Sequence, residues 1–338
     1  MKPLVVVDAD VLGRRRTGDE TYVRNLLREL APLADGAGIR IAAATRRLDL
    51  VPEGVEAVEV AARSQELRMA LALPHALRRL GASLSHTQYA LPLQAPCPCV
   101  VTVHDVSFAG GPALMGRKDR LVFRRVVPWA VRRAARVLTV SKRTKSDIVE
   151  LYGIAPDRIV VTPNGVDPAF HPGTGSRDYV LAVGAIQDRK NQLAALDAAT
   201  AVGLPLVVAG PEKDVFLAGE LRRRGAQVEG YVDDDRLAEL YRGAACLAQT
   251  SRFEGFGLPV LEAMASGTPV VALREPALEE VAGGAAVFVD DEGLADGIRQ
   301  ALSERDRLVA AGLERASTFT WRSTAERTIA VYCEVLDS

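Results

Sequence analysis

The sequence predicts an α/β protein made of two doubly wound parallel-sheet domains facing a cleft. Three observations lead there. Short apolar runs alternate with helical patterns along the chain. The runs are mostly continuous and β-branched, as strands covered on both faces of a parallel sheet require. One stretch rich in Pro, Gly and Asp, TPNGVDPAFHPGTGSRD (Thr162–Asp178), breaks the alternation, and a fresh apolar run follows at once. Ligands of such sheets bind at the carboxyl ends of the strands, so the cleft between the domains is the expected site.

The elements follow in order. PLVVVDA opens the chain as a strand; its apolar run before Asp8 is too short for a signal peptide. RIAAAT, CVVTVHD, RVLTVS and RIVVTP are the other strands of the first half. YVLAVGA, PLVVAG, the run near Ala245–Gln249 and PVVALRE are those of the second. Helical patterns cover Tyr22–Ala31, Asn191–Val202 and about Trp321–Val335. The expected domains are 1–167 and 168–320, with 321–338 a helix returning to the first.

A chain of 338 residues allows two domains, and 48% apolar with 25% charged residues allows a large core that needs no metal or disulfide. The net charge of −1 argues against a nucleic-acid partner. Cys97, Cys99, Cys246 and Cys333 fit neither a disulfide framework nor a zinc pattern, so reduced thiols and a cytoplasmic location are expected. No apolar run reaches the roughly 18 residues of a membrane span.

The most informative stretch is SRFEGFGLPVLEAMASGTPVVA (Ser251–Ala272). It reads as a loop carrying Glu254-Gly255-Phe256-Gly257, then a helix from Leu258 or Pro259 to a C-cap at Gly267. The unpaired N–H groups that open the helix, with its dipole, suit a phosphate. Gly255 and Gly257 let backbone approach a ligand. Glu262 is placed in the first turn, where it could hold a ribose diol, and Glu254 on the other side of the phosphate. The bland alternative is a capped helix with two solvated acids. A dinucleotide fingerprint does not fit, because Val260 stands where its third glycine belongs.

FEGFGLPVLEAMASGTPVV resembles the Glu-x7-Glu segment of retaining glycosyltransferases of family 4, which have the GT-B fold of two Rossmann-like domains. The resemblance covers nearly the whole chain and leans toward mannosyltransferase branches. It implies that Glu254 contacts the donor sugar, that Gly255, Phe256, Gly257 and Leu258 form the diphosphate turn, and that Glu262 holds the ribose. VVTVHDVSFAG resembles the strand ending that carries the sugar-facing histidine, His104. VGAIQDRKNQ resembles the basic phosphate clamp, Arg189 and Lys190, with Ala185 where some relatives carry arginine. GYVDDDRLAELYRGAACL resembles the segment lining the base pocket, with Tyr231 and Val232 as candidates. GRRRTGDETYVRNLLREL resembles the acceptor-side loop and first helix, with Gly18, Asp19 and Glu20 at the lip and Thr17 or Asp19 as cap. In TVSKRTKSDIVELYGIAPDRIVVTPNGVD, Ser141 and Asn164 read as capping and turn residues.

Asp233-Asp234-Asp235 invites comparison with an Asp-x-Asp metal site, but aspartate before a helix is more simply a cap, and no metal is expected. Asp8-Ala9-Asp10 is treated with the same caution. Arg117–Lys145 holds eleven basic residues against Asp119 alone. It is read either as a contact for an anionic membrane or as a solvated face over a core stripe. The expected reaction is metal-independent transfer of a hexose from a nucleotide diphosphate sugar to a saccharide or lipid-linked acceptor. GDP-mannose is the first choice of donor and a UDP-hexose the second. The alternatives are a GT-B nucleotide-sugar epimerase and a non-catalytic nucleotide-sugar binder.

Overall fold

The computed structural model describes residues 2–14, 17–109 and 117–338. The chain divides into two compact units: Met1–Gly165 with Trp321–Ser338, and Val166–Thr320.

The sheet of the N-terminal unit contains β1 (Leu4–Asp8), β2 (Arg40–Thr45), β3 (Glu56–Glu59), β4 (Leu84–Gln88), β5 (Cys99–Val103), β6 (Arg136–Thr139) and β7 (Ile159–Val161). Their order is β3-β2-β1-β4-β5-β6-β7, and each pairing is parallel. Every residue of β1 and of β5 is buried. That is why these strands are unbroken apolar runs: helices cover both faces and leave no side for alternation. Chain order reverses direction between β1 and β4, the position at which such a sheet opens a crevice.

The sheet of the C-terminal unit contains β8 (Tyr179–Val183), β9 (Leu206–Ala209), β10 (Gln227–Gly230), β11 (Ala244–Gln249), β12 (Val270–Leu273) and β13 (Val287–Val289). Their order is β10-β9-β8-β11-β12-β13, again parallel throughout. Here the reversal falls between β8 and β11. Val180, Ala182, Leu206, Val208, Cys246 and Val271 form part of one buried core with the flanking helices.

Four strands, β3, β4, β10 and β13, lie outside the runs read from the sequence. β3 (EAVE) and β10 (QVEG) are polar edge strands, β13 is three residues long, and β4 (LSHTQ) hides polar side chains in the core.

Helix α1 (Thr17–Ala34) buries Tyr22, Val23, Leu26, Leu27 and Leu30, the spacing of one helical face. It starts earlier than its apolar stripe, because its first turn is polar. Asp19 therefore does not cap the helix. Asp19 and Glu20 stand inside the first turn, where the dipole favours negative charge. Helix α2 (Arg117–Arg133) buries Val127, Ala130 and Val131. Helix α3 (Lys142–Tyr152) is capped by Ser141, whose hydroxyl accepts from Thr144 N at 3.0 Å. The C-terminal unit contributes α4 (Gln192–Ala201), α5 (Asp234–Gly243) and α6 (Leu258–Ala265). The last helix, α7 (Trp321–Leu336), packs on α1 and is part of the N-terminal unit.

Candidate active site

The C-terminal unit gathers its charged candidates at the ends of β8 and β11, the two strands that flank the reversal. Past β8, the chain makes a 3-10 turn at Asp188–Lys190 before α4. Lys190 ion-pairs with Glu254 Oε1 from the loop after β11. Gln249, the last residue of β11, donates from Nε2 to the same Oε1 at 2.7 Å and to Ser251 Oγ at 3.0 Å. Arg189 Nη1 lies 4.0 Å from Glu254 Oε2 and donates to Phe253 O at 2.9 Å. Burial pushes the Glu254 carboxyl up, but Lys190, Arg189 and a Ser251 hydrogen bond outweigh it and hold the group below its ordinary value. Glu254 is thus an ionised, oriented carboxylate. Gly184, at φ +133°, makes room for the lysine: a Cβ there would sit 3.3 Å from Lys190 Cε and 3.5 Å from Nζ.

The turn after Glu254 is built for backbone, not side chains. Gly257 is the N-cap of α6 at φ +106°, and a Cβ there would meet Leu278 Cδ2 at 2.6 Å. Val260 N–H is already spent on Gly257 O at 3.0 Å, and Pro259 has none. The amides left to face an anion are therefore those of Gly257 and Leu258. The Phe256 side chain is buried edge-on to Phe319, with ring centroids 5.9 Å apart, so any ligand contact at Phe256 falls to its main chain. Glu262 is not in the first turn of α6. With the helix starting at Leu258 it is the fifth residue, one turn deeper. It is buried, and Tyr241 on α5 donates to its Oε2 at 2.9 Å. Glu254 and Glu262 thus hold separate partner sets on either side of the turn.

In the N-terminal unit, His104 follows β5 with 9% of its surface exposed. Its ring lies edge-on to Tyr22 with centroids 4.7 Å apart, and 5.6 Å from Tyr89. Thr144 Oγ1 donates to its carbonyl at 3.1 Å. His104 Nε2 is buried with no hydrogen-bond partner among the described residues. Burial lowers the pKa of the ring, opposed by the charges of Asp19 and Asp105. Asp19 therefore acts on His104 electrostatically, while Glu20 Oε1 accepts from Gly13 N at 2.8 Å and holds the preceding loop. Gly18 is in the first turn of α1, and a Cβ there would meet nothing within 4 Å.

Other candidates resolve into structure. Asp233 caps α5, accepting from Arg236 N at 2.9 Å. Asp8 takes Arg68 at 2.7 Å, and Asp10 takes Arg46 Nε at 2.9 Å and Arg14. Among the described residues no cluster of His, Cys, Asp and Glu could hold a metal ion. Val232 is half-buried just before Asp233, beside the exposed Tyr231. Within Arg117–Lys145, the side chains of 117–121 are outside the description; Arg133 stacks on Trp129 at 5.4 Å, and Arg143 pairs with Asp147 at 2.9 Å. No helix among the described residues is long and apolar enough to cross a membrane.

Gln249 and Tyr241 escaped the sequence reading. The one signal for Gln249 is a polar residue closing the otherwise apolar run AACLAQ. Tyr241 meets Glu262 across two helices, which no local spacing reveals.

Known proteins share this design. The model of Glycosyltransferase Family 4 matches residues 16–170, and that of Glycosyl transferases group 1 matches residues 168–315. O-antigen chain mannosyltransferase B of Escherichia coli is 31% identical over 267 residues, 69% of this chain and 69% of that protein. The chain belongs to glycosyltransferase family 4. This family-4 glycosyltransferase is also 32% identical to D-inositol 3-phosphate glycosyltransferase of Acidothermus cellulolyticus over 279 residues, 71% of this chain and 62% of that one. Among solved structures, sucrose-phosphate synthase from Thermosynechococcus elongatus matches all of both chains with a TM-score of 0.79 at 19% identity. Anabaena HepE in complex with UDP-glucose matches with a TM-score of 0.73 at 16% identity, over 98% of this chain and 99% of that one. These likenesses carry the GT-B fold of the glycosyltransferase.

Proposed function

We propose that this glycosyltransferase moves a hexose from a nucleotide diphosphate sugar to a saccharide or lipid-linked acceptor, without a metal and with retention at the anomeric carbon. The observation that carries the reading is the buried Lys190–Glu254 pair beside the Gly257 turn, at the reversal of the sheet. A diphosphate at that turn meets the amides of Gly257 and Leu258 and competes with Glu254 for Lys190. As the sugar–oxygen bond breaks, negative charge grows on the leaving diphosphate. Lys190, Arg189 and the turn amides stabilise that charge more than they stabilise the ground state. Glu254, anchored by Gln249, supports the oxocarbenium-like sugar. Glu262, oriented by Tyr241, takes the ribose hydroxyls. In the N-terminal unit, His104 offers its unpaired Nε2 to a sugar hydroxyl, and Gly18, Asp19 and Glu20 form an acidic lip for a neutral acceptor. Val232 is assigned to the base pocket.

GDP-mannose is the first-choice donor, supported by relatives named as mannosyltransferases. A UDP-hexose is the second, supported by the structural neighbour that holds UDP-glucose. The four cysteines stand as thiols, which supports a cytoplasmic location, and contact with an anionic membrane surface is assigned to the basic segment Arg117–Lys145.

Thermal-shift screening against GDP-mannose, UDP-glucose and the bare nucleotides tests the donor, because a specific ligand raises the midpoint by mass action. Sugar release or transfer by Glu254→Ala and Lys190→Ala, each checked for folding, tests the chemistry. Wild-type turnover in either removes these assignments. Recovery of an epimerised nucleotide sugar, or binding without any turnover, selects the corresponding alternative.

A further inference from the structure

The N-terminal unit buries a chain of polar side chains that the proposed chemistry does not use. Tyr332 Oη of α7 lies 2.5 Å from His86 Nδ1 on β4. His86 Nε2 lies 2.7 Å from Thr102 Oγ1 on β5. Thr102 Oγ1 lies 3.0 Å from Tyr22 Oη on α1. Tyr22, His86, Thr102 and Tyr332 have no exposed surface. The chain ends at the candidate site, because the Tyr22 ring stands edge-on against His104, at 81° between planes. Thr102 and His104 are two residues apart on one strand and its extension, so they project to the same side.

We infer that Tyr332, His86, Thr102 and Tyr22 are positioning residues that set the ring of His104, so that docking of the C-terminal helix is read out at the histidine. The role of His104 toward a sugar rests on the reading above; the coupling does not.

The physics favours transmission over mere filling. His86 stays uncharged: burial, then the charge of His104, lowers its pKa to about 3. A neutral imidazole has one donor and one acceptor nitrogen, so the bond at Nδ1 fixes what Nε2 can do. Thr102 passes the constraint to the Tyr22 hydroxyl, and a phenol held at its oxygen holds its ring edge. That ring and Tyr89 flank an imidazole whose Nε2 lacks an internal bond to orient it. Trp321 of the same last helix lies 6.2 Å from the Tyr22 ring, a second contact from α7 to the same tyrosine. Ordered buried networks of this kind are worth more than their separate bonds.

The test uses the full chain and the ring ¹H–¹⁵N signals of its four histidines, assigned by substitution. Tyr332→Phe keeps the core volume and removes one hydroxyl. The expected result is a shift of the His86 and His104 ring signals together, with those of His75 and His171 unmoved. Tyr22→Phe should shift His104 as well, and adding Tyr332→Phe to it should move His104 no further. A His86 shift with His104 unchanged in Tyr332→Phe, or additive shifts in the double variant, overturns the proposal. Should Tyr332→Phe not fold, Thr102→Val cuts the chain at its middle and carries the same expectation. In turnover, Tyr332→Phe should lower kcat on the order of fivefold to tenfold with the donor KM unchanged. Full turnover by His104→Ala would instead remove the sugar-facing role of His104 and leave the ring-signal result standing.

Discussion

Lys190 and Glu254, 64 residues apart in the chain, form an ion pair in which each residue is less than a tenth exposed. Removing one partner of such a pair strands a buried charge, at about 3–5 kcal/mol. Lys190→Ala should therefore lower the stability of the C-terminal unit by about that amount and also slow turnover by ~100-fold or more. The double variant Lys190→Ala/Glu254→Gln should recover part of the stability and none of the rate. Calorimetric unfolding beside a turnover assay separates the two effects; a double variant no more stable than Lys190→Ala would show that the stranded charge is not the cause.

Gln249→Leu keeps bulk at the end of β11 but removes both donors. Glu254 then loses its 2.7 Å bond and keeps its cationic partners. We predict a drop in kcat of about tenfold with little change in donor affinity. Steady-state kinetics decide it: an altered KM with unchanged kcat would place Gln249 in binding instead.

Tyr241→Phe should act the opposite way. It removes the hydroxyl that orients Glu262 Oε2, on the carboxylate whose expected partner is the ribose, so donor Kd should rise by about tenfold. Titration with the bare nucleotide is the direct measurement, since ribose is present there and the sugar is not. Unchanged nucleotide affinity would detach Glu262 from the ribose.

Gly257→Ala meets two obstacles, φ +106° and a Cβ 2.6 Å from Leu278 Cδ2. The backbone term is roughly 1–2 kcal/mol, and the contact adds to it. Trimming the neighbour in Gly257→Ala/Leu278→Ala should relieve the clash without restoring the turn, so nucleotide binding stays weak. Restored binding in that double variant would mean that the left-handed backbone is dispensable.

Acid should weaken the N-terminal unit through His86. Its folded pKa is about 3 against an ordinary 6.5. Between these values the unfolded chain binds a proton that the folded unit refuses, so stability rises with pH and is lost as pH falls from 6.5 toward 3. The slope is about 1.4 kcal/mol per pH unit from this group. Both tryptophans, Trp129 and Trp321, lie in that unit, so fluorescence-detected urea unfolding reports it alone. His86→Gln should flatten the profile over that window; an unaltered slope would assign the acid sensitivity to other groups.

How far the sequence speaks depends on whether the signal is local. The buried parallel strands were legible because two covered faces leave a continuous apolar run, as in β1 and β8. The Gly257 turn and the cap at Asp233 were legible because a few adjacent residues define each one. β4 was not, since Ser85, His86 and Thr87 look like loop yet are fully buried, and the ring of His86 is answered by Tyr332, far along the chain. Glu262 was set one turn too early because Pro259 suggests where a helix begins without fixing which residues face inward. Gln249 and Tyr241 gain their importance only when separate elements meet.

The connection of α7 has a consequence for biosynthesis. Val166 and Thr320, the two ends of the C-terminal unit, pair as a parallel bridge. That whole unit is therefore a closed loop spliced into the other one. On the ribosome α1 emerges before the C-terminal unit, and its covering helix only after it. The half of the protein that is begun first is thus the half completed second, and its Leu-rich face must wait for a partner while an entire neighbour folds.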